Sequence, residues 1–354
     1  MDKEIDELLR FLTDKRSDVR LKAEEIIEGL TGTDDGLVVL TQQKEKLIPQ
    51  LLHLMGRTGS EGKSATSSLV NLTVKPELAT LAVEHGAVER AMDFLRGDDS
   101  QKDLLIMFLA NLTNTESGLT VFSQEGKSLE GYYIMKVVQL LIAGRPAHLF
   151  DHCASVLTNV TRHPIGRKVF SDPAFGFVYA VLPNLAKSAS ETRRIGVAAA
   201  IRNCCVEVSS CAALLSTRET RMTVTTATLS HEFEEARVHV SEDASDLIPT
   251  NAGKEIVRHI LRRISGIKPV VEHCEAVRQS CAEAVAFLAQ NEHGRLALVS
   301  CEAPLVLRSG YAEEDHKETQ TAMEHAARLF LLHGMVTTES QISTGLHRAE
   351  KVYE

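Results

Sequence analysis

Apolar positions along this chain recur at helical spacing, in short runs separated by polar or glycine-containing breaks. Leu8, Leu9, Phe11 and Leu12 share one side of a helix over Ile5–Leu12. Ser17 and Asp18 suit the cap of a second helix, Val19–Leu30, which ends at Thr31-Gly32. Leu47–Met55 reads as a helix entered through Pro49, Gly59–Ser64 as a break, and Ala65–Thr73 as the next helix. Pro76 sits where a first helical turn accepts it, and Gly86 opens Val88–Leu95. The same rhythm predicts helices over Leu104–Thr113, Ile134–Leu141, Phe150–Val160, Val178–Leu185, Arg193–Cys205, Lys254–Ser265 and Glu275–Ala289. Each is near or below the length that is stable alone in water, so each must bury its apolar face against neighbours.

A phrase recurs within this pattern. It reads Leu69-Val70-Asn71-Leu72-Thr73, Leu109-Ala110-Asn111-Leu112-Thr113, Leu157-Thr158-Asn159-Val160-Thr161 and Ile201-Arg202-Asn203-Cys204-Cys205. The asparagines stand 40, 48 and 44 residues apart. Degenerate copies lie at Ile27–Thr31, Val285–Ala289 and Ala326–Phe330. A period in the low forties is the length of one armadillo or HEAT repeat. The expected fold is an all-α, armadillo-like, right-handed superhelical solenoid of about seven or eight repeats over residues 1–340, with a fraying tail at 341–354. The step of 84 residues between Asn203 and Phe287 is two periods, and predicts one further repeat that has lost the phrase. The chain departs from the rhythm at about 218–249, which reads as an altered repeat with an acidic loop carrying Glu232, Glu234, Glu235, Glu242, Asp243 and Asp246.

Composition narrows the function. Aromatics make up only 5%, Trp is absent, and 44% of residues are hydrophobic. Small aliphatic side chains suit closely packed helices. A net charge of −9 disfavours a general nucleic-acid binder, which needs a basic surface. Seven cysteines with no CxxC pair read as reduced, buried thiols of a cytosolic or nuclear protein. The charged N-terminus is unlike a signal peptide, and no apolar run approaches the roughly 18 to 20 residues of a membrane span.

Two roles suit the column of Asn71, Asn111, Asn159 and Asn203. On third helices facing a groove, the amides grip an extended backbone in register. Alternatively, each amide ties neighbouring repeats. Peptide-binding armadillo proteins of the importin-alpha type carry Trp one turn before the Asn. Here Ser67, Met107, Ser155 and Ala199 stand there, so a nuclear-localisation peptide is not expected. Arg162, Arg167, Arg193, Arg194 and Arg202 make the middle of the chain locally basic, either as inter-repeat ion pairs or as a docking patch for an acidic partner. Gly196 inside a helix implies close approach of another helix. The acidic segment Glu232–Asp246 serves either as a contact for a basic surface or as a solvated loop.

The segment Arg193-Arg194-Ile195-Gly196-Val197 followed by Arg202-Asn203-Cys204-Cys205 resembles a signature of the brain-protein-16-like family, the high-growth armadillo-like proteins. Asn159–Arg162 with Gly166-Arg167, Asp246-Leu247-Ile248-Pro249 and the turn Asn291–Arg295 fit the same family. The resemblance implies a cytosolic chaperone adaptor. Such a protein holds newly made translation elongation factor 2 and brings it to the cytosolic chaperonin with prefoldin.

No Gly-rich phosphate loop, HExxH or GxSxG occurs, and adjacent Cys204 and Cys205 diverge by about 100° on a helix. The expectation is therefore a monomeric, non-enzymatic protein binder without cofactor, metal, nucleic acid or membrane. An armadillo-type scaffold in ribosome assembly or nucleocytoplasmic transport is the alternative. Under the docking reading, charge reversal at Arg193 and Arg202 weakens partner capture and leaves thermal unfolding unchanged.

Overall fold

The computed structural model of the chain describes residues 2–57, 59–96, 101–143, 150–217, 249–266 and 272–336. Among these, twenty α-helices and one short 3₁₀ helix carry the fold, with no strand. No single helix among the described residues is long and apolar enough to cross a membrane. The chain divides into two compact units, Met1–Tyr133 and Ile134–Glu354.

In the first unit, α1 (Asp2–Phe11) precedes α2 (Ser17–Thr31). A helical triplet follows: α3 (Asp34–Gln42), α4 (Lys44–Leu54) and α5 (Ser60–Leu72). The next is α6 (Pro76–Glu84), α7 (Ala87–Phe94) and α8 (Lys102–Leu112), and α9 (Glu116–Ser123) ends the series. The third helices α2, α5 and α8 pack in order, α2 on α5 and α5 on α8. Three details differ from the sequence expectation. Helix α2 begins at Ser17 behind Arg16, without a side-chain cap. Pro49 lies inside α4 rather than at its entrance. The expected break over Gly59–Ser64 is shorter, because α5 already starts at Ser60.

The second unit takes in α10 (Tyr132–Ala143, whose first two residues end the first unit), α11 (Cys153–Val160), α12 (Pro164–Ser171) and α13 (Phe177–Val181), which runs into the 3₁₀ turn Leu182–Leu185. Then come α14 (Glu191–Cys204), α15 (Val208–Leu215), α16 (Asn251–Ile264), α17 (Glu275–Ala289), α18 (Glu292–Ser300), α19 (Ala303–Glu313) and α20 (Lys317–Leu332). Here the third helices are α11, α14, α17 and α20, each packed on the next.

Helix Glu275–Ala289 packs directly on Glu191–Cys204. Among the described residues the 84-residue step therefore holds one repeat. Its three helices are α15, α16 and α17, and the added length falls between α15 and α16. Residues 218–248 lie outside the described residues, and with them Glu232, Glu234, Glu235, Glu242, Asp243 and Asp246. So do residues 341–354.

Two local devices set the repeat. The turn from first to second helix passes through a left-handed residue, at Gly86 (φ 75°) and Gly176 (φ 63°), where a side chain would be strained. The turn after a third helix uses a capping side chain and a glycine. Thr33 accepts from the Gly36 N–H, Thr115 from Gly118 and Asn291 from Gly294. Asn291 thus starts α18, where the sequence suggested only a short turn. A Cβ at Gly118 would stand 2.0 Å from the Leu112 carbonyl oxygen, so nothing larger fits.

Gly196 makes the close approach its position implied. A Cβ there would lie 2.6 Å from the backbone carbon, carbonyl oxygen and Cβ of Ala154 on α11. Thr158 completes this contact by donating to the Gly196 carbonyl at 3.0 Å. Gly196→Ala is expected to lower stability by about 2 kcal/mol despite its better helix propensity, because backbone must give way. Urea unfolding of the two proteins checks this.

Candidate functional site

The third helices carry the four asparagines together with Arg193, Arg194 and Arg202, while Arg162 and Arg167 lie in the turn and helix after α11. Near their C-terminal ends the Asn-x-Thr phrase acts as a tie between repeats. Asn71 donates from Nδ2 to Thr31 Oγ1 at 2.9 Å. Asn111 donates to the Val70 carbonyl at 2.9 Å and to Thr73 Oγ1 at 3.4 Å. In the second unit Asn203 repeats the arrangement, reaching the Thr158 carbonyl at 3.2 Å and Thr161 Oγ1 at 3.0 Å. Each accepting threonine gives its own proton to its helix: Thr31 to the Glu28 carbonyl, Thr73 to Leu69 and Thr161 to Leu157. The hydroxyl is therefore an acceptor for the next repeat's amide, which explains why Asn and Thr recur together.

The Nδ2 donors of Asn71, Asn111 and Asn203 are thus engaged within the protein. Asn203 is buried, and its Oδ1 accepts from Arg202 Nε and Nη2 at 3.2 and 2.9 Å. Asn71, Asn111 and Asn159 are half-exposed. For Asn71→Ala combined with Thr31→Val, a double-mutant cycle is expected to give a coupling of about 0.5–1.5 kcal/mol. Additive losses in urea melts would count against the tie.

A second row runs at the opposite ends of the same helices. The fourth residue of α2, α14 and α17 is arginine: Arg20, Arg194 and Arg278. Each holds a carboxylate at the entrance of the following third helix with two guanidinium–carboxylate hydrogen bonds. Arg20 Nη2 reaches both Glu61 oxygens, at 2.9 and 3.1 Å. Arg194 takes both Glu272 oxygens, at 3.1 and 3.3 Å, and Arg278 both Glu314 oxygens, at 2.8 and 2.9 Å. The Nη1 of each also binds carbonyls just ahead of its own helix. These planar forks are the strong form of the ion pair. Neither Arg20 nor Arg278 was singled out in the sequence, although both carry the positional signature of Arg194.

The candidate docking arginines fall into separate places. Arg193 is 7% exposed, with Nε on Asp151 at 2.6 Å and Nη1 on Asn184 Oδ1 at 3.1 Å. Arg167 is buried, caps the Thr161 and Arg162 carbonyls, and pairs with Glu207. Arg202 pairs with Glu283 at 3.0 Å and keeps 30% of its side chain exposed. Arg162 is exposed in the turn after α11. Along α14, Arg194 and Arg202 are eight residues apart, about 12 Å. The structure therefore corrects the expectation that Arg193 is available to a partner: burial and a carboxylate already claim it, and its reversal will disturb folding.

Cys153, Cys204, Cys205, Cys211 and Cys281 are buried. Burial pushes the Cys204 thiol far up and Cys281 up to about 12, and a hydrogen bond with Cys211 together with burial raises Cys205. These thiols stay protonated and are poor nucleophiles. Among the described residues no group of three or more His, Cys, Asp or Glu side chains is placed to hold a metal ion.

Comparison with known proteins shows what the chain is similar to. Residues 94–236 match a family model described as a domain of unknown function, DUF383, which spans the central arginine segments. The HGH1 homolog of Rattus norvegicus is 24% identical over 343 residues, covering 93% of this chain and 82% of that protein. The chain is similar to this HGH1 homolog over most of its length. The HGH1 homolog of Dictyostelium discoideum is 26% identical over 214 residues and that of Xenopus tropicalis 30% over 209. The chain spans somewhat more than half the length of these two, 58% and 56%. Among solved structures, a computationally designed armadillo repeat protein for modular peptide recognition superposes with a TM-score of 0.58 at 14% identity, covering 80% of this chain and 99% of that one. A designed armadillo repeat protein in complex with the peptide (KR)4 superposes equally well. At that identity the likeness establishes the fold: this chain is an armadillo-type, all-α protein.

Proposed function

We propose that this chain is a non-enzymatic protein-binding scaffold, and specifically a chaperone adaptor. In this reading it holds newly made elongation factor 2 and delivers it, with prefoldin, to the cytosolic chaperonin in the cytoplasm. The relationship to HGH1 proteins over 93% of the chain carries the reading. The side chains of the third helices support it physically. Within each unit most of their polar groups tie repeat to repeat and still leave half-exposed positions: Ser67, Asn71, Met107 and Asn111 in the first unit, and, separately, Ser155 and Asn159 in the second. Such a surface suits many moderate contacts spread over an extended client, released as the client's own core forms.

Affinity purification from actively translating cells tests the proposal. Recovery of elongation factor 2 together with chaperonin subunits is the expected result. Nuclear enrichment with ribosomal proteins, and without chaperonin, would favour the assembly or transport scaffold instead. Arg202→Gln is the appropriate surface variant, because the pair with Glu283 is about one-third exposed and worth at most about 1 kcal/mol, and glutamine keeps an N–H donor beside Asn203 Oδ1. Capture is expected to weaken while unfolding changes little.

A further inference from the structure

One cavity in the second unit holds a cation that no described residue pairs with. It encloses about 370 Å³ between α16, α17 and α19, large enough for a side chain and the backbone beside it. Arg263 lines it from the apolar stripe of α16, where Ile256, Ile260 and Ile264 are also buried. Arg263 is only 8% exposed, and its Nε has no hydrogen-bond partner. Among the described residues no carboxylate lies within ion-pairing distance of it. Glu272 acts on it through space but spends both oxygens on Arg194, and the neighbouring Arg278 is saturated by Glu314. Burial lowers the affinity of Arg263 for its proton, as expected for an uncompensated cation.

The rim has the opposite sign. Glu275, Glu313 and Asp315 line the cavity and are exposed, and Asp315 also accepts from Arg278 Nη2 at 3.3 Å. A free small anion would be repelled at this mouth, and a plain cation would meet Arg263 inside. A ligand carrying both charges satisfies both parts. We propose that this cavity binds a peptide carboxylate that has a cationic side chain next to it, with the carboxylate on Arg263 and the cation among Glu275, Glu313 and Asp315. A C-terminal Lys or Arg supplies both groups, and so does an internal Lys-Glu pair. This site does not depend on the client named above.

Titration calorimetry on the full chain tests the site with three probes: Gly-Gly-Lys with a free carboxylate, the same tripeptide as its C-terminal amide, and acetyl-Gly-Lys-Glu-Gly-amide. Amidation is expected to weaken the tripeptide by about tenfold or more, the worth of one charge-assisted contact. Binding of the capped internal probe alone would assign the site to internal acidic segments and also support it. Arg263→Met is expected to abolish the preference for the free carboxylate while leaving the melting temperature unchanged or raised, because an unpaired buried cation is removed. Equal binding of acid and amide, failure of all three probes, or a preference that survives Arg263→Met overturns the proposal. Should Arg263→Met not fold, the acid-against-amide comparison on the unaltered chain still decides. Glu313→Gln with Asp315→Asn should then erase the preference for Lys over norleucine at the same position.

Discussion

Arg193→Ala is expected to destabilise the unit Ile134–Glu354 by about 3–5 kcal/mol, the usual cost of removing one partner from a buried ion pair. Both ends of this pair are shielded: the Arg193 side chain is 9% exposed and that of Asp151 14%. Loss of the guanidinium takes away its hydrogen bonds to the Asp151 carboxylate and the Asn184 oxygen. In a domain of this size the melting temperature should fall by roughly 10 °C. Arg193→Lys keeps the charge but not the fork geometry, and should fall between wild type and alanine. Arg202→Ala serves as the control, with a loss of at most about 1 kcal/mol. The double variant Arg193→Ala/Asp151→Ala should recover part of the loss, since no stranded charge remains. An Arg193→Ala protein that melts within about 1 kcal/mol of wild type would show that the pair is not holding α14 in place.

That expectation reverses what the basic segment suggests in isolation. Arg193 and Arg194 look alike in sequence, as adjacent cations in a four-residue run. The helix turns them about 100° apart. One goes under the fold to Asp151 and Asn184, and the other goes sideways to Glu272. The sign and spacing of charges were legible, but their destinations were not. Glu272 is 78 residues beyond Arg194, on the far side of a long insertion. The same stretch bears on the repeat spacing: 84 residues matches two periods, yet α14 packs directly on α17.

The Asn-x-Thr phrase shows the reverse case. Its spacing correctly marks the third helices, because the Asn of one repeat and the Thr of the preceding one must meet for the stack to stay in register. A periodic phrase in a solenoid can thus record how repeats hold each other rather than what they hold. Two residues that matter were visible but passed over. Arg263 lies seven residues after Ile256 and three after Ile260, on a stripe otherwise aliphatic. Glu24 lies on the same stripe as Ala23 and Ile27. A charge on an apolar helical stripe is the signal in both, and it is readable without coordinates.

Glu24→Gln is expected to flatten the pH dependence of stability of the unit Met1–Tyr133. The Glu24 side chain is fully buried, and neither carboxyl oxygen has a hydrogen-bond partner. Burial pushes its carboxyl from the ordinary 4.5 up to about 8, the Glu61 carboxylate adds to the rise, and Arg20 and Arg57 oppose it. The folded protein thus keeps the proton where the unfolded chain has released it. Stability is complete below about pH 4.5, falls as pH rises through the interval to about 8, and is lowest above it. At about 1.4 kcal/mol per unit, the full displacement bounds the loss at about 5 kcal/mol. Glutamine keeps the shape and carries no proton to release. At pH 4.5 the two proteins should unfold at similar urea concentrations. By pH 8.5 Glu24→Gln should be the more stable by several kcal/mol, approaching that bound. Parallel profiles across the interval would mean that Glu24 is ionised in the folded protein at neutral pH, and that Arg20 compensates it in addition to holding Glu61.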